Sequence, residues 1–244
     1  MKDAHGQPVA ALYGPSSVVY GLDNGVTVRV EEKTNYPFEE KIDFVFTFFK
    51  DGKEIKGKQK MDFTYRIPQW CASAAPGFKT VSKEWKSGEV FTVSLPMELK
   101  VCGNQSSGMY VERGPILYSY PIAATVEEDT LVYDNLAGKV SGNPDFKSWS
   151  MTPASKWNYA LKADKLDKIK VKHHKVNGFP FDPGNSPVTV SVPVAGVSGW
   201  TLIDGRFTPS LPETVVAEEG GDTFIELVPY GSTTLRLTTF PVLK

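Results

Sequence analysis

An all-β protein built from two sandwich-like (jelly-roll-like) domains is what this 244-residue sequence predicts, and three observations predict it. The 21 glycines and 18 prolines interrupt nearly every stretch that could otherwise run as a helix. The segments between them alternate apolar and polar residues with a period of two, the pattern of a strand with one wet face. After residue 121 the texture turns polar and turn-rich before strand patterns resume, which predicts a boundary between domains at 1–121 and 122–244.

The elements follow in order. In "KIDFVFTFFK" (41–50), Ile42, Phe44, Phe46 and Phe48 share one face, while Lys41, Asp43 and Thr47 share the other. In "KMDFTYRIP" (60–68), Met61, Phe63, Tyr65 and Ile67 alternate with Lys60, Asp62, Thr64 and Arg66. The charged connection between these two strands holds Gly52 to Lys58 in the pattern GxxxxGK. A phosphate-binding loop needs a hydroxyl residue next and a helix after it; here Gln59 and a strand follow, so the match is fortuitous. From 90 to 101, "VFTVSLPMELKV" keeps six apolar residues on one face, Phe91, Val93, Leu95, Met97, Leu99 and Val101, and predicts one long strand.

"MYVERGPILYSY" (109–120) is harder to place. Its flanks alternate, yet its centre reads Glu112, Arg113, Gly114, Pro115, and glycine and proline belong at strand ends, bulges or turns. The segment is either an active-site corner bearing a Glu/Arg pair or a structural corner that the two charged residues pin. The second domain contributes "LDKIKVKHHKV", "VTVSVPV" with Val188, Val190, Val192 and Val194 on one face, and "FIELVPYGSTTLRLTTF", which predicts two strands around a turn at 229–231.

Composition removes several functions. Lys plus Arg is 27 and Asp plus Glu is 28, a net charge of −1, so neither nucleic acid nor an anionic membrane is expected as a partner. No stretch reaches the roughly 18 apolar residues that cross a bilayer, and "MKDAHGQPVAALYG" lacks the apolar core of a secretory signal. Two cysteines, Cys71 and Cys102, and three histidines, His5, His173 and His174, offer no zinc-ligand spacing, so no metal is expected in this chain. Whether the cysteines pair is left open by the sequence. The tripeptide Asn104-Gln105-Ser106 is a glycosylation sequon only in a secreted protein of a glycosylating source.

Adjacent carboxylates, a requirement for many glycosidases, occur at Glu31-Glu32, Glu39-Glu40, Glu127-Glu128 and Glu218-Glu219. Neighbours on a strand point to opposite faces and cannot flank one bond, and acidic pairs in loops are ordinarily solvated. No catalytic residue is therefore assigned. His173-His174 reads as an exposed pair. Aromatic residues offer the one binding signal: Trp149, Trp157, Tyr159 and Trp200 stand in loop-like surroundings, and aromatic faces with polar edges bind sugars. Large aromatics are mostly buried, so packing beneath loops competes with that reading and leads it. Trp70 and Trp85 follow strand patterns and are expected in the sandwich core.

Read in order, "TNYPFEEKIDFVF" (34–46), "YRIPQWCASA" (65–74), "VSKEWKSGEVFTVSLPMELK" (81–100) and "MYVERGPILYSY" form a series. It resembles the β-domain that follows the catalytic barrel in glycoside hydrolase family 127, the β-L-arabinofuranosidase-like enzymes, over about residues 10–121. "SKWNYAL" (155–161) and the closing "FIELVPYGSTTLRLTTFP" resemble the last β-domain of the same proteins more loosely. The resemblance implies an N-terminal α/α barrel carrying a cysteine nucleophile in a zinc-bound cluster and a glutamate acid/base. None of those positions matches here: there is no Cys-Cys pair, and Cys71 and Cys102 lie inside the β-domain. The resemblance thus implies an accessory, non-catalytic chain whose partner is the barrel of a parent hydrolase, with an arabinose-containing plant-type glycan as a further partner. It implies a periplasmic or secreted location if that parent is exported. It also favours the structural corner at 112–115. The rival expectation is a free carbohydrate-binding module using the four loop aromatics.

Overall fold

A computed structural model describes residues 1–22, 24–128, 147–205, 207–220 and 223–243. The chain divides into two compact units, one of residues 1–99 with 113–116, the other of 100–112 with 117–244. Both are β-structures. Among the described residues helix is confined to two short 3-10 segments, Ala163–Lys168 and Tyr230–Ser232, and no helix there is long and apolar enough to cross a membrane.

The first unit holds β1 (Val9–Ala10), β2 (Ser16–Gly21), β3 (Thr27–Thr34), β4 (Lys41–Lys50), β5 (Lys53–Glu54), β6 (Gln59–Ile67), β7 (Gly77–Trp85) and β8 (Glu89–Ser94). One sheet runs β2-β3-β4-β5, with β8 also pairing β4, along the same edge as β5; the second runs β1-β6-β7. The alternation of β4 does what its sequence demands: Ile42, Phe44, Phe46 and Phe48 are sealed from solvent. Phe63 of the facing sheet sits 4.8 Å from the Phe44 ring and 5.0 Å from that of Phe46. Trp85 closes this layer 4.6 Å from Phe46, fully buried, and its indole N–H donates to the Met61 carbonyl at 2.8 Å. Tilted and edge-on contacts of this kind add to the burial of the rings.

The second unit holds β9 (Leu99–Asn104), β10 (Gly108–Arg113), β11 (Ile116–Pro121), β12 (Ala124–Glu128), β13 (Trp149–Pro153), β14 (Tyr159–Lys162), β15 (Lys170–His173), β16 (Val188–Gly196), β17 (Thr223–Pro229), β18 (Arg236–Leu237) and β19 (Val242–Leu243). Its large sheet is ordered β19-β14-β16-β17-β11-β10-β9, with β15 also pairing β16 and β18 pairing β11. Strands β12 and β13 form a separate two-stranded antiparallel sheet. At the centre of the large sheet β16 is buried along both faces, so Thr189 and Ser191 are covered as well as the four valines. The two hydroxyls are satisfied by the Glu226 carboxylate of β17.

Two expectations change. The strand predicted over 90–101 is broken into β8 and β9, because Pro96 carries no N–H to donate to a ladder. Trp149 and Tyr159 open strands β13 and β14 rather than lying in loops, the former because 149–153 pairs residue for residue with 124–128. The polar stretch that motivated the loop reading lies, over 129–146, outside the described residues. Cys71 and Cys102 are both free thiols.

Phe63→Ala removes the ring wedged between Phe44 and Phe46, and a cost of about 3–5 kcal/mol is expected in chemical denaturation. Phe78→Ala, on the same sheet but 59% exposed, is expected to stay within about 0.5 kcal/mol.

Candidate functional site

Three groups of residues are candidates for a site: the segment 112–115, the acidic pairs, and the four aromatics. At the first, β10 turns into β11 through Gly114 and Pro115, a two-residue hairpin loop. Gly114 has φ of +56°, which an L side chain resists, and a Cβ there would approach Met97 Cγ to 2.6 Å. Arg113, 8% exposed, donates through Nη1 to the Phe38 carbonyl at 3.3 Å and meets Met97 Sδ at 3.5 Å. Its Nη2 donates to Glu40 Oε1 at 3.3 Å, and the same oxygen accepts the Met97 N–H at 2.9 Å. Glu40 thereby satisfies a backbone donor on the strand-breaking Pro96–Met97 stretch, while the Gly114 N–H donates to the Glu98 carbonyl at 3.3 Å. Glu112 points elsewhere and accepts from Cys102 Sγ at 3.7 Å.

Of the acidic pairs, Glu31-Glu32 diverges as strand geometry requires. Glu31 faces outward between Arg29 at 3.5 Å and Lys33 at 3.8 Å. Glu32 faces inward and is only 8% exposed. It follows Val28 and Val30 on the buried face of β3, and its neighbours in register are Ser16 on β2 and Phe44 on β4. The Gly14 N–H donates to its Oε1 at 2.9 Å, and the Ser16 hydroxyl also bonds it. Burial holds the carboxyl above the usual range, against the pull of those two donors. Beside it Tyr13 donates its hydroxyl to the Arg66 carbonyl, and burial pushes that phenol up as well. Glu32 lines a cavity of about 200 Å³, shared with Met1, the segment 8–12, Ser16, Val18, Tyr20, Val30, Phe44 and Phe63. The sequence carried a signal for this: a carboxylate at the third inward position of "TVRVEEKT", where the first two are valines.

The aromatics of the second unit are dispersed in character. Trp200 is 6% exposed and donates its indole N–H to the Ser210 carbonyl at 2.9 Å. Trp157, half-buried, packs edge-on against it at 4.9 Å. Tyr159 meets Tyr120 edge-on at 5.5 Å and lies under Lys156, whose Nζ is 5.5 Å from the ring centre. Lys156 is ion-paired with Glu218, and it holds that carboxyl below its ordinary range. The pair lies over Gly196, where a Cβ would come within 2.4 Å of both partners. Trp149, 53% exposed, is the aromatic of the four that offers its surface to solvent. His174 Nε2 is 2.8 Å from the Thr189 hydroxyl, which donates to Glu226 at 3.0 Å; His173 is exposed. Among the described residues no group of three or more His, Cys, Asp or Glu could hold a metal ion.

Comparison with known proteins meets this geometry in the first unit. Residues 9–97 match the family model described as the β-L-arabinofuranosidase GH127 middle domain. The likeness read from the sequence is to family 127. Solved structures share the fold over nearly the whole chain. The GH127 β-L-arabinofuranosidase from Geobacillus stearothermophilus T6 superposes with a TM-score of 0.54 at 16% identity, covering 93% of this chain and 32% of its own. A second GH127 β-arabinofuranosidase gives 0.52 at 16% identity, with coverages of 93% and 33%. A third protein, described as a glycoside hydrolase, gives 0.55 at 18% identity, with coverages of 96% and 35%. The chain thus spans about a third of the length of these structures. No curated protein matches it significantly in sequence.

Glu32→Gln keeps the shape of the buried carboxyl and removes its charge. Because the folded-state value is raised, its ionisation opposes folding above the unfolded value near 4.5 and not below it. Stability curves of wild type and variant are therefore expected to coincide in acid and to separate as pH rises towards neutrality, with the variant the more stable. A variant less stable at neutral pH contradicts this.

Proposed function

We propose that the chain is the accessory, non-catalytic β-portion of a glycoside hydrolase resembling the β-L-arabinofuranosidases, where it braces a catalytic α/α barrel and shapes one rim of its substrate cleft or an oligomer contact. The observation that carries this is the match of 9–97 to a middle domain, in a chain one third as long as the solved proteins sharing its fold. In this reading zinc and the reacting groups reside in the barrel, and the glycan substrate is the parent's. Glu112, Arg113, Gly114 and Pro115 then serve structure. A guanidinium committed to the Phe38 carbonyl, Glu40 and Met97 has its donors turned toward the protein. The exposure of Trp149 favours a second reading, a carbohydrate-binding module whose platform includes that indole.

With zinc and a reductant supplied, the chain alone is expected to release no phenol from aryl arabinosides; measurable turnover would overturn the accessory assignment. Arg113→Met is expected to cost about 1.5–3 kcal/mol of stability, the worth of a hydrogen bond to a charged group. Saturable binding of an arabinose-rich polysaccharide, abolished by Trp149→Ala, would move the second reading to first place.

A further inference from the structure

We propose that the first unit binds one neutral sugar ring in the cavity over Glu32. The choice of a sugar leans on the reading of the chain as part of a sugar-cleaving enzyme, whereas the pocket stands on its own geometry. Its volume of about 200 Å³ equals that of about seven waters. That is below the roughly 300 Å³ at which drug-sized ligands begin to fit, and it suits a single ring.

The chemistry of the walls narrows the class. Val18 and Tyr20 offer apolar surface beside the buried rings of Phe44 and Phe63, and Glu32, Ser16 and the Tyr20 hydroxyl, which accepts from the Met1 ammonium at 2.9 Å, place polar atoms around it. A sugar ring has the complementary pattern, with C–H faces to lie on aromatic and aliphatic walls and hydroxyl donors at its edge. The cation among the described lining residues is the Met1 ammonium, which is held by the Val9 carbonyl at 3.0 Å and the Tyr20 hydroxyl at 2.9 Å, and an anionic ligand would also face the Glu32 carboxylate. A simple amine would meet the Met1 ammonium as well as Glu32, so a neutral polyol suits the site better.

Glu32 itself is the telling residue. A carboxylate inside a sandwich costs stability unless its acceptors are used, and an apolar side chain would extend the row of Val28 and Val30 without that cost. An ionised carboxylate offers about four acceptor positions. Two protein donors reach it, the Gly14 N–H and the Ser16 hydroxyl, and its remaining capacity is available to the cavity it lines. The arrangement is a ready acceptor for two neighbouring ring hydroxyls. The mouth is flanked by β2, an outer strand of its sheet with Val18 partly exposed, so a ligand enters without opening the core.

The test is a titration of the full, nitrogen-15-labelled chain, followed by amide NMR. L-arabinose, D-xylose, D-galactose and their methyl glycosides would be the ligands, with n-butylammonium as a charged control. Saturable shifts centred on Ala10, Val18 and Val30 are expected with at least one sugar. Glu32→Gln should weaken that affinity about tenfold or more. Val18→Trp, which fills the cavity from its exposed edge, should abolish it while the rest of the spectrum is retained. No saturable shift with any sugar, shifts with butylammonium alone, or sugar shifts that survive Val18→Trp would each overturn the proposal. The readout is binding rather than turnover or parent mass, so its failure leaves the accessory reading standing, and the reverse holds too.

Discussion

The packing of Phe63 between Phe44 and Phe46, with Trp85 closing the layer, organises the first unit. These rings come from strands far apart in sequence, β4 on one sheet and β6 and β7 on the other, and they meet only if each strand presents its inward residues in register. A slip of one residue would turn an aromatic face to water and bring Lys41, Asp43 or Asp62 into the core. Register, pairing and turn positions in this unit therefore follow from one requirement. Trp85 must also keep an acceptor for its indole N–H within the core, and the Met61 carbonyl supplies it.

Polar side chains complete what the rings leave unfinished. Pro96 interrupts the alternation of 90–101, and the Glu40 carboxylate takes the Met97 N–H that would otherwise lack a partner. Arg113 then shares that carboxylate oxygen and reaches the Phe38 carbonyl, so three separated stretches of the first unit converge on one buried guanidinium. Arginine suits this place because its fork of donors can serve several acceptors at once and stays charged when covered. Glu32 is a different case. Its two donors compensate for part of its burial only, and the pocket beside it is where the remainder of the compensation has room to bind.

Much of this was legible in the sequence. The period-two faces of 41–50 and 60–68 gave the sandwich, and Gly114-Pro115 marked a turn. Of the four ordered segments that carry the resemblance, 34–46, 65–74 and most of 81–100 fall within the middle-domain likeness over 9–97, and 109–120 lies beyond it. What escaped has identifiable causes. A single proline in an otherwise perfect alternation outweighed six apolar matches at 90–101. Trp149 sits on a strand because of a partner 21 or more residues away, at 124–128, which local composition does not reveal. Glu32 reads as half of an acidic pair when taken with Glu31 alone, and only the two valines before it on the same face mark it as inward-facing. Trp200 illustrates the ordinary fate of a large aromatic, burial with its N–H bonded to a backbone carbonyl.

The proposed role, one part of a larger sugar-cleaving protein, is open to a direct check. The most direct measurement is the mass of the native gene product in its source cells, by immunoblot with an antibody raised against this chain. The account predicts a band far above 26.9 kDa, about three times that mass if the similar structures are a guide. A band at 26.9 kDa would contradict it and leave a free-standing binding protein in its place.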